Sequence, residues 1–229
     1  MKTKNKIIIG IIFAILFAIV IVLVKTVDIA SIGPEGTSIG LSTVNKAVNE
    51  ASGENMTLYK IAEYLGYAAL LLCVFFAAIG LSQIIRRRGI LKADRTIYAL
   101  GGLYIVTIGL YVIFEKIVVN YRPMIMPGDE HVEASFPSSH TVLAIVVMGS
   151  AIILAKYYIK NASLRRALQI LCAVVLATMV IFRLWSGVHW LTDIIGGTLI
   201  AVSLLLFWSA LFDVTAEKDG LIEAHRHDR

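Results

Sequence analysis

Charge is what this 229-residue chain has least of. Asp, Glu, Lys and Arg make up 16% of it, against about a quarter in a typical soluble domain. That scarcity excludes an ordinary soluble enzyme, a disordered chain and a nucleic-acid module. Cysteine is nearly missing. Cys73 and Cys172 both sit inside apolar runs and cannot define a disulfide framework. Proline is rare, and Pro34, Pro123, Pro127 and Pro137 all fall outside the long apolar runs, so those runs can be continuous helices. The runs also lack a period-two alternation, which excludes a transmembrane barrel. There is no internal repeat and no low-complexity segment.

What the chain has is length of apolar sequence. Hydrophobic residues make up 58% of it, and the mean hydropathy is +0.81. Six runs reach the roughly 20 residues needed to cross a bilayer, at about 6–25, 63–85, 96–119, 138–158, 165–184 and 193–213. The spacers are too short for a separate soluble domain. The expected fold is therefore all-α: one integral membrane domain over 1–229, built as a polytopic six-helix bundle. The first run follows Lys2, Lys4 and Lys6 and is longer than the apolar core of a cleaved signal peptide, so it reads as an uncleaved signal anchor.

The basic residues set the expected orientation. Lys2, Lys4, Lys6, Arg86, Arg87, Arg88, Lys92, Arg95, Lys156, Lys160, Arg165, Arg166, Lys218, Arg226 and Arg229 fall on one set of flanks. The other set has only Lys25, Lys46, Lys60, Lys116, Arg122 and Arg183. An excess of Lys and Arg marks the cytoplasmic side. Both termini are thus expected in the cytoplasm, with 214–229 as a cytoplasmic tail, and the formal net charge of +5 expresses topology rather than a nucleic-acid patch. The Arg86–Arg88 run reads as a stop at the cytoplasmic interface, with anionic lipid head groups as its other reading. The longest external loop, about 26–57, reads either as an interfacial helix over Leu41, Val44 and Val48 or as an unstructured segment. Nothing in it points to chemistry.

Ionisable residues at a membrane edge are costly, and each one is a functional hypothesis. Three such stretches fall at the external ends of spans three to six: 116–123 (KIVVNYRP), 136–140 (FPSSH) and 183–193 (RLWSGVHWLTD). His189 and Asp193 are four residues apart and share a helix face. A carboxylate on one ring nitrogen fixes the tautomer and frees the other nitrogen as nucleophile or base. Arg122 and Arg183 are permanent forked donors suited to phosphate oxygens. Pro137, Ser138, Ser139 and His140 open a helix whose free N–H groups and hydroxyls suit an anion, and His140 there can hand a proton to a leaving group. Each stretch also has an ordinary reading. A His–Asp pair can link helices, Pro-Ser-Ser can simply cap one, and Arg-Pro can anchor an interface. Trp185 and Trp190 read as aromatic-belt residues. Glu115, Asp129, Glu130 and Glu133 fit no metal-site spacing.

Arg122-Pro123, then Pro137-Ser138-x-His140, then Arg183-x5-His189-x3-Asp193, carried on six spans, resembles the type 2 phosphatidic acid phosphatase superfamily. The resemblance implies a membrane lipid phosphatase that works without metal or cofactor. It implies His189 as the nucleophile that becomes phosphohistidine, Asp193 as the carboxylate that orients it, and His140 as the general acid. Arg122, Arg183 and Ser138 match phosphate binders, and Ser139 contributes its N–H. There are three departures. The family lysine stands one residue earlier than Lys116, at a position held here by Glu115. Ser139 replaces the usual glycine, and Phe182 replaces a serine that commonly precedes the arginine. Lys116 is expected to reach the phosphate and Glu115 to point away from it.

The implied substrates are phosphatidic acid, phosphatidylglycerol phosphate or an isoprenoid diphosphate. The bilayer is the partner, and no nucleic acid is involved. The expected location is a plasma membrane, with the site on the extracytoplasmic face. Related members of the superfamily transfer the phosphoryl group to another lipid, and the vanadium haloperoxidases that share the pocket are soluble enzymes. A non-enzymatic anion or lipid-phosphate binder, or a transporter, is the other class.

Overall fold

The computed structural model describes residues 1–221. Arg226 and Arg229, counted above, lie outside the described residues. Within them the chain forms seven α-helices: α1 Thr3–Thr26, α2 Ser42–Ser52, α3 Met56–Arg86, α4 Arg95–Lys116, α5 Ser139–Tyr158, α6 Ala162–Trp185 and α7 Leu191–Lys218. All except α2 are long and apolar enough to cross a membrane. The fold is the expected all-α, six-span bundle. α3 starts seven residues earlier than its apolar run, at Met56 against 63, because Asn55 caps it. The Asn55 side-chain oxygen accepts from the N–H groups of Thr57 and Leu58, both at 3.1 Å.

α5 is the axis of the bundle. Two-thirds of its apolar window (67%) is buried by protein, against 11% for α3 and α6. It packs on α6, α7, α3 and α4, while α1 lies along α7. The outer helices keep large apolar side chains on the outside, among them Leu71 at 69% exposed and Ile105 at 71%. In water such faces are an aggregation hazard, whereas in lipid they are the expected surface. Lipid tails provide no hydrophobic drive between helices, so polar contacts and close packing hold them. Ser203 Oγ donates to the Gly10 carbonyl at 2.8 Å, and Lys6 pairs with Asp213 at 2.7 Å near the ends of α1 and α7.

At the opposite end of the bundle, the long loop holds a helix after all. α2 lies there, and the segment between α4 and α5 folds back on itself as a short antiparallel ribbon. Tyr121 pairs with Ala134, Ser135 N–H donates to the Asn120 carbonyl at 2.9 Å, and Arg122 N–H donates to the Glu133 carbonyl at 3.0 Å. Glu35 pins the ribbon from outside, accepting the Val132 N–H at 3.1 Å and meeting His131 Nδ1 at 2.9 Å.

Candidate active site

The three polar stretches converge at that end. Between α6 and α7 the chain turns through 186–190. Gly187 stands at φ 73°, and a Cβ there would collide with the Gly53 carbonyl, so only glycine suits the position. The turn puts His189 just before α7, 4% exposed, and Asp193 in the first turn of α7, fully buried. His189 Nδ1 lies 3.4 Å from Asp193 Oδ2, and the same oxygen accepts the Trp190 N–H at 3.0 Å. With Nδ1 facing the carboxylate, the proton belongs on Nδ1 and the Nε2 lone pair is free. Burial pushes the His189 imidazole well below its ordinary value, and the Arg122 and Arg183 guanidiniums act in the same direction. The nucleophile candidate is therefore a neutral imidazole at physiological pH.

α5 begins beside this pair. Ser138 N–H donates to the Asp193 carbonyl at 3.0 Å, so the starts of α5 and α7 are tied together. His140, in the first turn of α5, lines the same cavity as His189. Gly66 of α3 backs onto it, where an added Cβ would stand 3.1 Å from His140 Cδ2. The cavity measures about 470 Å³ and runs between α3 and α4. Its polar end carries Arg122, Ser139, His140 and His189, and its apolar walls include Leu70, Ile108 and Phe114. Arg183 is 1% exposed and is held over the Tyr59 ring at 4.6 Å, with its Nε and one terminal nitrogen unpaired among the described residues. Arg122 Nε is 3.2 Å from Glu133 Oε2, and Arg122 Nη1 is buried without a hydrogen-bond partner among them. Such unpaired cationic donors are costly in a core but are what an anion site requires.

The family model of the PAP2 superfamily matches residues 98–215, more than half of the chain, from within α4 to within α7. The chain belongs to the PAP2 superfamily. One relative is the bacitracin transport permease protein BcrC of Bacillus licheniformis, 30% identical over an alignment of 175 positions that covers 73% of this chain and 77% of that one. The fold is also that of a crystal structure described as the first transmembrane PAP2 type phosphatidylglycerolphosphate phosphatase from Bacillus subtilis. The TM-score is 0.63 at 19% identity, covering 91% of this chain and 96% of the other.

In this PAP2 chain the structure departs from three expectations. Lys116 ends α4 exposed and off the cavity wall, while Glu115 is on it. One residue on a helix is a rotation of about 100°, and no local adjustment of α4 restores the lysine. Ser138 is fully buried with its N–H taken by Asp193 and its hydroxyl accepting from Thr141 at 3.1 Å, whereas Ser139 lines the cavity. Trp190 is 3% exposed and donates its ring N–H to the Tyr121 carbonyl at 2.7 Å, so it braces the ribbon instead of joining a belt. Trp185, at 49% exposed, keeps an outer position.

The loop before α3, which as sequence carried no chemical signal, supports the site. Asn45 Nδ2 donates to Thr192 Oγ1 at 3.0 Å and Asn45 Oδ1 accepts the Thr192 N–H at 3.2 Å. Asn49 Nδ2 donates to the Gly187 carbonyl at 3.1 Å, and Asn55 N–H donates to the Ser186 carbonyl at 3.1 Å. These asparagines clamp the turn that presents His189. Asn45 and Asn49 are four residues apart on one face of α2, a spacing that solvent-facing asparagines share.

Proposed function

We propose that this PAP2 chain is a lipid phosphatase that hydrolyses a phosphomonoester or diphosphate of a membrane lipid through a phosphohistidine on His189. The observation that carries this reading is a cavity between two spans with apolar walls and, at its inner end, two histidines beside unpaired arginine donors. A lipid can leave its tail between α3 and α4 and present its phosphate to His189. His189 Nε2 attacks phosphorus, the bond to the lipid oxygen breaks, and His140 gives that oxygen a proton. Water then attacks phosphorus, His140 takes the water proton back, and phosphate leaves a free His189. Arg122 and Arg183, with the N–H groups at the start of α5, stabilise the charge on the transferring oxygens. The proposed location is a plasma membrane, with both termini cytoplasmic and the site on the extracytoplasmic face, as the distribution of basic residues favours.

The names of the two relatives give two competing arms, phosphate-ester cleavage and transport. The test is phosphate release by detergent-purified protein from phosphatidic acid, phosphatidylglycerol phosphate and undecaprenyl diphosphate, with and without chelator. Chelator-resistant release from at least one lipid is the expected result. Folded protein that releases phosphate from none of them overturns the reading and favours transport or binding.

The low-lying His189 imidazole sets the pH dependence. An ordinary histidine is only about one-tenth neutral at pH 5.5. His189 stays neutral there, so phosphoryl transfer to it at saturating lipid is expected to fall less than about threefold from pH 7 to pH 5.5 in single-turnover measurements. A tenfold fall would mean that the imidazole titrates at its usual value.

A further inference from the structure

Asp193 has one oxygen on His189 and the Trp190 N–H, and its other oxygen is unaccounted for. Oδ1 is buried and makes no hydrogen bond of full geometry among the described residues. The same holds for Asn120 Nδ2 and Oδ1 and for Ser135 Oγ, on side chains of residues 1% and 4% exposed. These atoms are neighbours, since both the Ser135 and Asn120 side chains interact with the Asp193 carboxylate. The Ser135 main chain also addresses the His189 ring. Buried polar atoms are nearly always paired, and a loose group of them at one carboxylate calls for an explanation.

The ribbon supplies it. Tyr121 faces Ala134, so Asn120 faces Ser135 and Arg122 faces Glu133. Side chains alternate along a strand, which puts these four on one face and Tyr121 and Ala134 on the other. One pair, Arg122 and Glu133, lines the cavity where phosphate binds in the reading above. The next pair along the ribbon, Asn120 and Ser135, reaches Asp193. Trp190 fixes the register through the Tyr121 carbonyl.

We propose that Asn120 and Ser135 are positioning residues for the nucleophile, whose side-chain N–H and O–H donors hold the second oxygen of Asp193 so that its first oxygen keeps the proton on His189 Nδ1. Asn120 lies off the cavity lining and Ser135 lies on it, and in this role both act through Asp193. The contacts are loose in the resting protein and tighten as His189 is phosphorylated and gains positive charge opposite the carboxylate. The inference rests on the phosphohistidine reading.

Its test is a double-mutant cycle. Asn120→Ala and Ser135→Ala are made singly and again in an Asp193→Asn background, and single-turnover phosphate release is measured on the best lipid substrate. Each single variant is expected to lower kcat about 10–100-fold with KM within about twofold, because geometry is lost and binding is not. In the Asp193→Asn background each further loss is expected to stay below about threefold, because residues acting through one partner are not additive. Ser135→Thr, which keeps the hydroxyl, is expected to recover most of the rate. Thermal melting in detergent verifies that each variant is folded, and the two positions on opposite strands give independent measures. A rise in KM at unchanged kcat, or losses that multiply fully in the Asp193→Asn background, would overturn the inference while leaving the phosphatase reading intact. A wild type that releases no phosphate from any lipid overturns both.

Discussion

His189→Ala is expected to lower phosphate release by about 10⁴-fold or more, without loss of folded protein. The size follows from the role. A covalent nucleophile splits one difficult displacement into two easier ones, and nothing adjacent can take its place. His140 lines the same cavity but lacks the carboxylate behind it that directs His189, and the other histidine of the loops, His131, faces Glu35 on the outside of the ribbon. Protein mixed with labelled lipid phosphate and quenched in alkaline detergent is expected to hold an acid-labile, base-stable phosphoryl group in the wild type and none in the variant. The thermal cost is modest, because the His189 ring makes one long contact to Asp193 while the turn around it is held by Asn45, Asn49 and Asn55. If the variant keeps lipid binding but loses all turnover, the transport and binding alternatives lose their ground. If it keeps turnover, His189 is not the nucleophile.

How much of this was legible beforehand depends on the range of each interaction. The six spans were readable because crossing a bilayer needs only a long local apolar run. His189 and Asp193 were readable as a pair from their four-residue spacing, although the structure puts His189 in the turn before α7 rather than on a helix face, where its Nδ1 still meets Asp193 Oδ2. The convergence of Arg122, His140 and Arg183 was inferred from their common depth at the ends of spans. What was not readable depended on rotation or register. Glu115 and Lys116 differ by one helical step, and only the packing of α4 decides which of them meets the cavity. Asn120 and Ser135 are 15 residues apart in sequence and meet only because the ribbon pairs Tyr121 with Ala134. Trp190 looked like any interfacial tryptophan until its ring N–H found the Tyr121 carbonyl. The loop before α3 was silent because an asparagine that clamps a distant turn has the same local signature as one that faces water.

The second large effect is expected at His140, and it depends on the lipid. His140→Asn keeps much of the ring's volume and one donor but removes the transferable proton. General acid catalysis of this kind is worth roughly 10²–10⁴-fold, and it matters most when the leaving oxygen is a poor leaving group. A phosphatidic acid or phosphatidylglycerol phosphate must expel an alkoxide, so its hydrolysis is expected to fall about 10³-fold. An isoprenoid diphosphate expels a phosphomonoester, a far weaker base that departs with less help, and its hydrolysis is expected to fall by about tenfold. Nitrophenyl phosphate, whose leaving anion needs no proton, is expected to be the least affected of all. Phosphate release by wild type and variant on the three kinds of substrate gives the ratio directly. Equal losses on all of them would assign His140 to phosphate binding, since a ligand to the transferring oxygens stabilises each transition state alike. A loss graded by leaving group would assign it to the departing oxygen. The same gradient bears on the choice of substrate, because a variant that still turns over diphosphate but not monoester shows how little proton transfer the diphosphate demands of this site. Gly66, behind the His140 ring, marks the α3 backbone as the wall against which that ring packs.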